Sequence, residues 1–252
     1  MNKTVIITGS NRGIGKQLVK TFAENNYDIW ACARKQSNEF EDTLKNIADN
    51  NNVTITPIYF DLSDEAQTKE GIKSILQEKR NIDVLINNAG VPYGGLFTMT
   101  SIAKLKEVYE INVFAQVQIM QLVARQMMKQ KAGCIINMCS VGGIETNPGY
   151  LAYGSSKAAM IWITKSVSKE LGQYNIRVNG IAPGLIDTDM GNYKSEAELK
   201  KVLDRMSIHR MGKTEEVAKA ILQSFLLRPL YIASEDASYM TGHIMVLDGG
   251  RV

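Results

Sequence analysis

A chain of 252 residues with 44% hydrophobic and 22% charged side chains is long enough to bury a core, and its composition excludes disordered, fibrous and disulfide-stapled classes. A formal net charge of +3 without any dense run of lysine and arginine argues against a nucleic-acid partner, while leaving anionic small ligands open. Cys32, Cys134 and Cys139 are odd in number and lack the paired short spacing of a zinc site, which predicts buried or neutral thiols in a reducing cytoplasm and no metal. No signal-peptide pattern precedes Val5, and no apolar stretch reaches membrane-spanning length, so neither a leader nor a membrane partner is expected.

In chain order, short β-branched runs alternate with helical patterns. A strand at Thr4–Thr8 precedes a helix over Ile14–Asn25, whose Ile14, Leu18, Phe22 and Ala23 fall near one face. A strand at Asp28–Ala33, a helix at Phe40–Asn50, a strand at Thr54–Phe60, a helix at Glu65–Glu78 and a strand at Asp83–Asn87 follow. One long helix is predicted over Ser101–Gln130, then a buried strand at Cys134–Met138, a helix at Tyr153–Tyr174 and a strand at Ile176–Ile181. Helical patterns at Ser195–Arg205 and Thr214–Leu227 and a last strand at Ile244–Leu247 complete the series. With no linker, repeat or low-complexity segment, residues 1–252 read as one α/β domain, a doubly wound parallel sheet of Rossmann type with helices on both faces.

Three constellations carry chemistry. Gly9-Ser10-Asn11-Arg12-Gly13-Ile14-Gly15 follows the first strand and opens an amphipathic helix; its glycines allow a tight turn and close approach to a pyrophosphate, although such turns are often plain helix entries. Asn87-Asn88-Ala89-Gly90 closes an apolar strand at the carboxyl edge where open α/β sheets bind ligands, and is equally compatible with an ordinary turn. Tyr153 and Lys157 share a helical face, and an ammonium beside a phenol that titrates near ~10 favours its phenolate, giving an acid/base pair. Ser140, after the buried strand, could donate to a substrate oxygen; the plain alternative is an exposed polar pair and a loop serine.

Together, T-G-x-x-x-G-I-G, N-N-A-G, S-x12-Y-x3-K with Asn112 upstream, Pro183-Gly184, Thr241-Gly242 and Asp248-Gly249-Gly250 resemble the classical short-chain dehydrogenase/reductase family, in order and over nearly the whole chain. The resemblance implies that Tyr153 is the proton donor, that Lys157 lowers its pKa and holds the nicotinamide ribose, that Ser140 orients the carbonyl and that Asn112 supports a water-linked proton path. It further implies dinucleotide binding by Gly9, Asn11, Arg12, Gly13, Ile14, Gly15, Asn88, Ala89, Gly90, Pro183, Gly184, Ile186 and Thr188, with Tyr153 and Lys157 reaching the nicotinamide end. Within the family, Arg12, the run from Asn179 to Met190 and Ala237 to Gly242 are most similar to the 3-oxoacyl-acyl-carrier-protein reductase group. The expected reaction is NADPH-dependent reduction of a carbonyl to a hydroxyl in fatty acid synthesis, with acyl carrier protein as partner and a homo-tetramer or dimer as assembly. Val91–Thr100 and Asn192–Glu198 lack a pattern tied to an acyl carrier, so another small carbonyl or sugar substrate stays open. A non-catalytic dinucleotide sensor is the alternative of a different class.

NADP(H) is expected because no acidic residue occurs from Ile29 to Asn38 to accept a ribose 2'-hydroxyl, while Arg34, and by resemblance Arg12, suit a 2'-phosphate. Asp61 and Leu62 are expected at the adenine by resemblance, with a helix N-cap near Asp64 as the alternative use of Asp61. Gln223–Leu230 looks like an insertion of one or two helical turns relative to the family, in which Pro229 should end the helix, near the part that builds the family's tetramer.

Overall fold

In the computed structural model, which describes residues 2–191, 196–222, 233 and 237–251, and the backbone alone for 196–198, β1 (Lys3–Thr8) sends Val5 and Ile7 into one apolar layer and Ile6 into another. That is the two-residue period of a strand buried on both faces, which requires helices above and below a parallel sheet. β2 (Tyr27–Ala33), β3 (Ile55–Tyr59), β4 (Val84–Asn87), β5 (Gly133–Met138), β6 (Ile176–Pro183) and β7 (Ile244–Leu247) join it in a seven-stranded sheet of order β3-β2-β1-β4-β5-β6-β7. Every pairing is parallel. The order reverses between β1 and β4, and the carboxyl ends of those strands open the crevice where such sheets take ligands.

The helices are α1 (Gly13–Glu24), α2 (Asn38–Asn51), α3 (Glu65–Gln77), α4 (Ile102–Tyr109), α5 (Ala115–Gln130), α6 (Leu151–Leu171), α7 (Glu196–Leu203) and α8 (Thr214–Leu222). Leu18 and Phe22 of α1, Phe40 and Leu44 of α2, and Val217 and Ile221 of α8 pack with Val5 and Ile7. Ile72 and Ile75 of α3, Ile119 and Val123 of α5, and Met160 of α6 pack with Ile6 and Trp30. The Rossmann-type fold expected from the alternating pattern is present.

The single long helix expected over Ser101–Gln130 is corrected in one respect: α4 and α5 are joined by a π turn over Glu110–Phe114. One additional residue in a turn leaves the apolar pattern on either side intact, so periodicity does not reveal it. The helix expected over Tyr153–Tyr174 starts earlier, at Leu151, and its last turn tightens to 3-10 geometry over Gly172–Tyr174. The proposed insertion Gln223–Leu230, with Pro229, lies outside the described residues, as does most of Asn192–Glu198. Cys32, Cys134 and Cys139 are buried; burial raises the thiols of Cys32 and Cys139, the latter to about 11. No helix among the described residues is long and apolar enough to cross a membrane.

Candidate active site

The β1–α1 turn owes its shape to residues without side chains. Gly9 and Gly13 have φ of +67° and +52°, in the left-handed region that disfavours a Cβ. A Cβ on Gly9 would sit 2.9 Å from Ala89 Cα, and one on Gly15 would overlap the Gly9 carbonyl oxygen. The turn is stapled to the loop after β4: Thr8 Oγ1 accepts from the Asn88 and Ala89 N–H groups at 3.0 Å each, and Asn88 Nδ2 donates to the carbonyls of Thr8 (2.9 Å) and Gly9 (3.1 Å). Asn88 therefore braces the turn. Helices α2, α3 and α4 carry side-chain caps from Ser37, Asp64 and Ser101, whereas α1 starts after Arg12 with none. α6 also starts without one, but the start of α1 opens on the glycine turn, where its dipole end suits an anionic ligand.

Tyr153 and Lys157 lie on α6, and Lys157, 4% exposed, donates from Nζ to the Met138 carbonyl at the end of β5 at 2.7 Å. Burial of the ammonium lowers the Lys157 pKa to about 8. Its Nζ lies 6.0 Å from the centroid of the Tyr153 ring, and Tyr150 meets that ring edge-on at 6.4 Å. Ser140 follows β5 and starts a 3-10 turn over Val141–Gly143, its Oγ accepting from the Gly142 N–H at 3.1 Å. The turn lies against α6 because a Cβ on Gly143 would meet the Lys157 backbone at 2.6 Å. The missing side chain at Gly143 thus lets the turn that Ser140 starts pack on α6.

Asn112 sits in the π turn, 1% exposed. Its Oδ1 accepts from the Val91 N–H at 2.8 Å, and its Nδ2 donates to the Val91 carbonyl at 3.0 Å and to Ser156 Oγ at 3.1 Å. The side chain clamps the β4 loop to α6 from behind the wall of the cleft. Gly90 lies between the two groups: a Cβ there would be 3.1 Å from Asn112 Oδ1 and 3.4 Å from Lys157 Nζ.

A cleft of about 890 Å³ runs over the carboxyl ends of β1, β2, β4, β5 and β6, and Ser140, Tyr153 and Lys157 line it together with every residue expected at the dinucleotide. Bare backbone at Gly9, Gly13, Gly15 and Gly90, the uncapped start of α1 and the cations Arg12 and Arg34 fit a dinucleotide lying across the strand switch. Residues 3–199 match the family described as short chain dehydrogenase.

The chain belongs to the short-chain dehydrogenase/reductase family. It is 36% identical over 250 residues to 3-oxoacyl-[acyl-carrier-protein] reductase FabG of Thermotoga maritima, covering 99% of this chain and 98% of that protein. It is 34% identical over 250 residues to 3alpha-hydroxysteroid dehydrogenase of Mediterraneibacter gnavus, covering 98% and 96%. Among solved structures, ElxO with NADP bound superimposes with a TM-score of 0.87 at 30% identity, covering 100% of this chain and 99% of that one. As a short-chain dehydrogenase/reductase the protein is an oxidoreductase of CH–OH groups that binds a nicotinamide dinucleotide.

Two features of this short-chain dehydrogenase/reductase correct or extend the sequence reading. The cap of α3 is Asp64, which accepts from Ala66 N (2.9 Å) and Gln67 N (3.0 Å), so the alternative use of Asp61 as that cap is not realised. Asp61 instead accepts from the Ser63 N–H and hydroxyl, and these bonds, with the charge of Arg34 adding less, hold its carboxyl below the usual range against burial. The reading also missed Gln116, 2% exposed on α5, whose Nε2 donates to the Ala89 carbonyl at 3.1 Å and the Ile111 carbonyl at 3.0 Å. A glutamine on the inward face of a predicted apolar helix was the available signal.

Proposed function

We propose that the chain uses NADPH to reduce the carbonyl of a 3-oxoacyl group to a hydroxyl, with the acyl group carried on acyl carrier protein, as a step of fatty acid synthesis. The observation that carries the reading is the meeting of Ser140, Tyr153 and Lys157 in the same cleft as the glycine turn. Bound in that cleft, NADPH would supply the hydride. Ser140 Oγ already accepts from Gly142, so its own proton is available to the substrate oxygen and fixes the carbonyl. Tyr153 gives its phenol proton to that oxygen as negative charge develops. One N–H of Lys157 is held by Met138, and the ammonium favours the phenolate left on Tyr153 and holds the nicotinamide ribose. Asn112, engaged on both sides of its amide, supports the proton path by holding the loop and the π turn in register.

Cofactor binding is assigned to Gly9, Asn11, Arg12, Gly13, Ile14 and Gly15 at the phosphates, and to Arg12 and Arg34 at a 2'-phosphate. Asp61 and Leu62 take the adenine, Asn88, Ala89 and Gly90 the middle of the dinucleotide, and Pro183, Gly184, Ile186 and Thr188 the nicotinamide end. We read residues 1–252 as a single domain, a cytoplasmic protein assembling as a homo-tetramer or dimer. Exposed Met99, Ile102, Phe114 and Trp162 support association between copies. The relative named for 3alpha-hydroxysteroid dehydrogenase, nearly as similar as the FabG protein, favours a second reading in which the carbonyl is on a ring.

The test is consumption of NADPH with 3-oxobutanoyl-acyl carrier protein, 3-oxosteroids, sugars and quinones in parallel. The highest kcat/KM on the acyl thioester is expected. A higher value on a steroid or sugar favours the second reading, and binding of NADPH with no consumption on any carbonyl favours a sensor.

A further inference from the structure

The segment after β7 turns back on itself and is held firmly. Gly249 and Gly250 have φ of +70° and +76°. The Asp248 carboxylate accepts from the Gly250 N–H at 2.9 Å and the Arg251 N–H at 3.1 Å, while the Ile208 N–H donates to the Gly249 carbonyl at 2.8 Å. The turn delivers Arg251 beneath the loop that follows Ser140. There its Nε donates to Glu145 at 3.3 Å, with 15% of the arginine side chain exposed against 44% of the glutamate. The Glu145 N–H donates to the Val141 carbonyl at 2.8 Å, within the turn that Ser140 starts. Arg251 lines the same cleft as Ser140, Tyr150 and Tyr153.

A guanidinium presents its N–H donors in a planar fork, and cations this far from solvent are rarely left with donors unmet. Glu145 meets Nε; among the described residues nothing else bonds the side chain, which leaves the Nη edge with the spacing of two oxygens on a carboxylate or phosphate. The other cations of the cleft have different neighbours: Lys157 is beside Tyr153, Arg12 is in the glycine turn and Arg34 follows β2. We propose that Arg251 is a specificity residue that receives an oxyanion of the substrate, so that the carbonyl compounds taken by this cleft carry a carboxylate or a phosphate. Glu145 holds the guanidinium in place through Nε and keeps the Nη edge for that group. The proposal rests on the reading of the cleft as a carbonyl reductase and narrows its substrate class.

Two pairs of probes separate the sources of the anion: acetoacetate against methyl acetoacetate, and 3-oxobutanoyl-4'-phosphopantetheine against 3-oxobutanoyl-pantetheine. Wild type should prefer the charged member of at least one pair by about tenfold or more in kcat/KM, and Arg251→Gln should bring that ratio close to one. Arg251→Lys, which keeps charge without the fork, should fall between them. Calorimetric titration of acetoacetate and of 4'-phosphopantetheine into both proteins, saturated with oxidised dinucleotide, reads the same contact without turnover. It judges Arg251 even if no carbonyl compound is reduced, an outcome that counts against the reductase reading alone. Wild type that discriminates neither pair and binds neither anion overturns the proposal, as does discrimination or affinity that survives Arg251→Gln.

Discussion

Lys157 Nζ and the Met138 carbonyl oxygen are 2.7 Å apart, a bond that locks α6 to the end of β5 and sets the ammonium beside the Tyr153 ring. The Tyr153 phenol, the proposed proton donor, thus has a fixed cation 6.0 Å from its ring centroid. Tyr153→Phe is expected to lower turnover by roughly 10²- to 10⁴-fold while NADPH affinity stays nearly constant, because proton donation contributes about that much. Steady-state kinetics beside a fluorescence titration of the dinucleotide check both halves, and retained turnover would remove Tyr153 from the chemistry.

Lys157 also makes stability depend on pH. Its pKa falls from the ordinary 10.5 to about 8 in the folded protein, so between those values the unfolded chain holds a proton that the native protein has lost. Stability therefore rises with pH through that window, and the burial penalty, on the order of 3 kcal/mol, is present in full below it. Lys157→Met is expected to gain stability relative to wild type at pH 7 and to lose that relative gain as pH climbs from about 8 to 10.5. Thermal melts of both proteins without dinucleotide measure it, and a difference that is flat with pH would contradict it. Turnover in the reductive direction should decline earlier, as pH rises through about 8, where the ammonium of the folded enzyme loses its charge.

Asn112→Ala strips partners from both the N–H and the carbonyl of Val91. Each part-buried group left unpaired costs about 1–3 kcal/mol, so the melting temperature should drop clearly. Because Val91 and Ile111 line the cleft, turnover should fall further than dinucleotide affinity does. Equal losses in the two would assign Asn112 to folding alone.

Which parts of this could be read in the sequence follows from the range of each interaction. Strand and helix patterns are local and periodic, so the sheet and the two faces that Val5 and Ile6 separate were visible. Glycines at 9, 13 and 15 announce backbone that a side chain would block, and the S-x12-Y-x3-K spacing carries the site by resemblance. The π turn was invisible because it adds a residue without disturbing the apolar pattern; Gln116 could be noticed as a glutamine on an inward apolar face, but its distant partner, the Ala89 carbonyl, could not, whereas the Ile111 carbonyl lies only five residues away. Arg251 joins Glu145 over a separation of 106 residues, a relation no local pattern encodes.

The two acids that flank Leu62 and Ser63 should separate cleanly on substitution. Asp64→Ala removes the two capping bonds to backbone N–H groups, and a third from the Gln67 side chain, and should lower the melting temperature with no change in NADPH affinity. Asp61→Ala should weaken NADPH binding, since Asp61 lines the cleft beside Leu62 and is the residue proposed at the adenine. Calorimetry on the two variants decides, and a loss of affinity in Asp64→Ala alone would reverse the assignment.

The choice between NADPH and NADH should turn on Arg34 and Arg12. β2 ends at Ala33, and Arg34, which follows it, lines the cleft with no acid beside it in sequence to accept a ribose hydroxyl. Arg12 lies 3.4 Å from Asp189, with 67% and 76% of the two side chains exposed. A pair this open to water and salt contributes only about 0–1 kcal/mol, so a phosphate monoester, with its charge of about −1.5 to −2 shared over its terminal oxygens, can take Arg12 from the aspartate at little loss. Hydrogen bonds to a charged group are worth about 1.5–3 kcal/mol, so Arg34→Asp should cut the NADPH-over-NADH preference by about tenfold or more. Asp189→Asn removes the competitor for Arg12 and should raise NADPH affinity slightly, without affecting NADH. Titration of both nucleotides into the three proteins tests each step, and a wild type that prefers NADH would refute the assignment of these arginines to a 2'-phosphate.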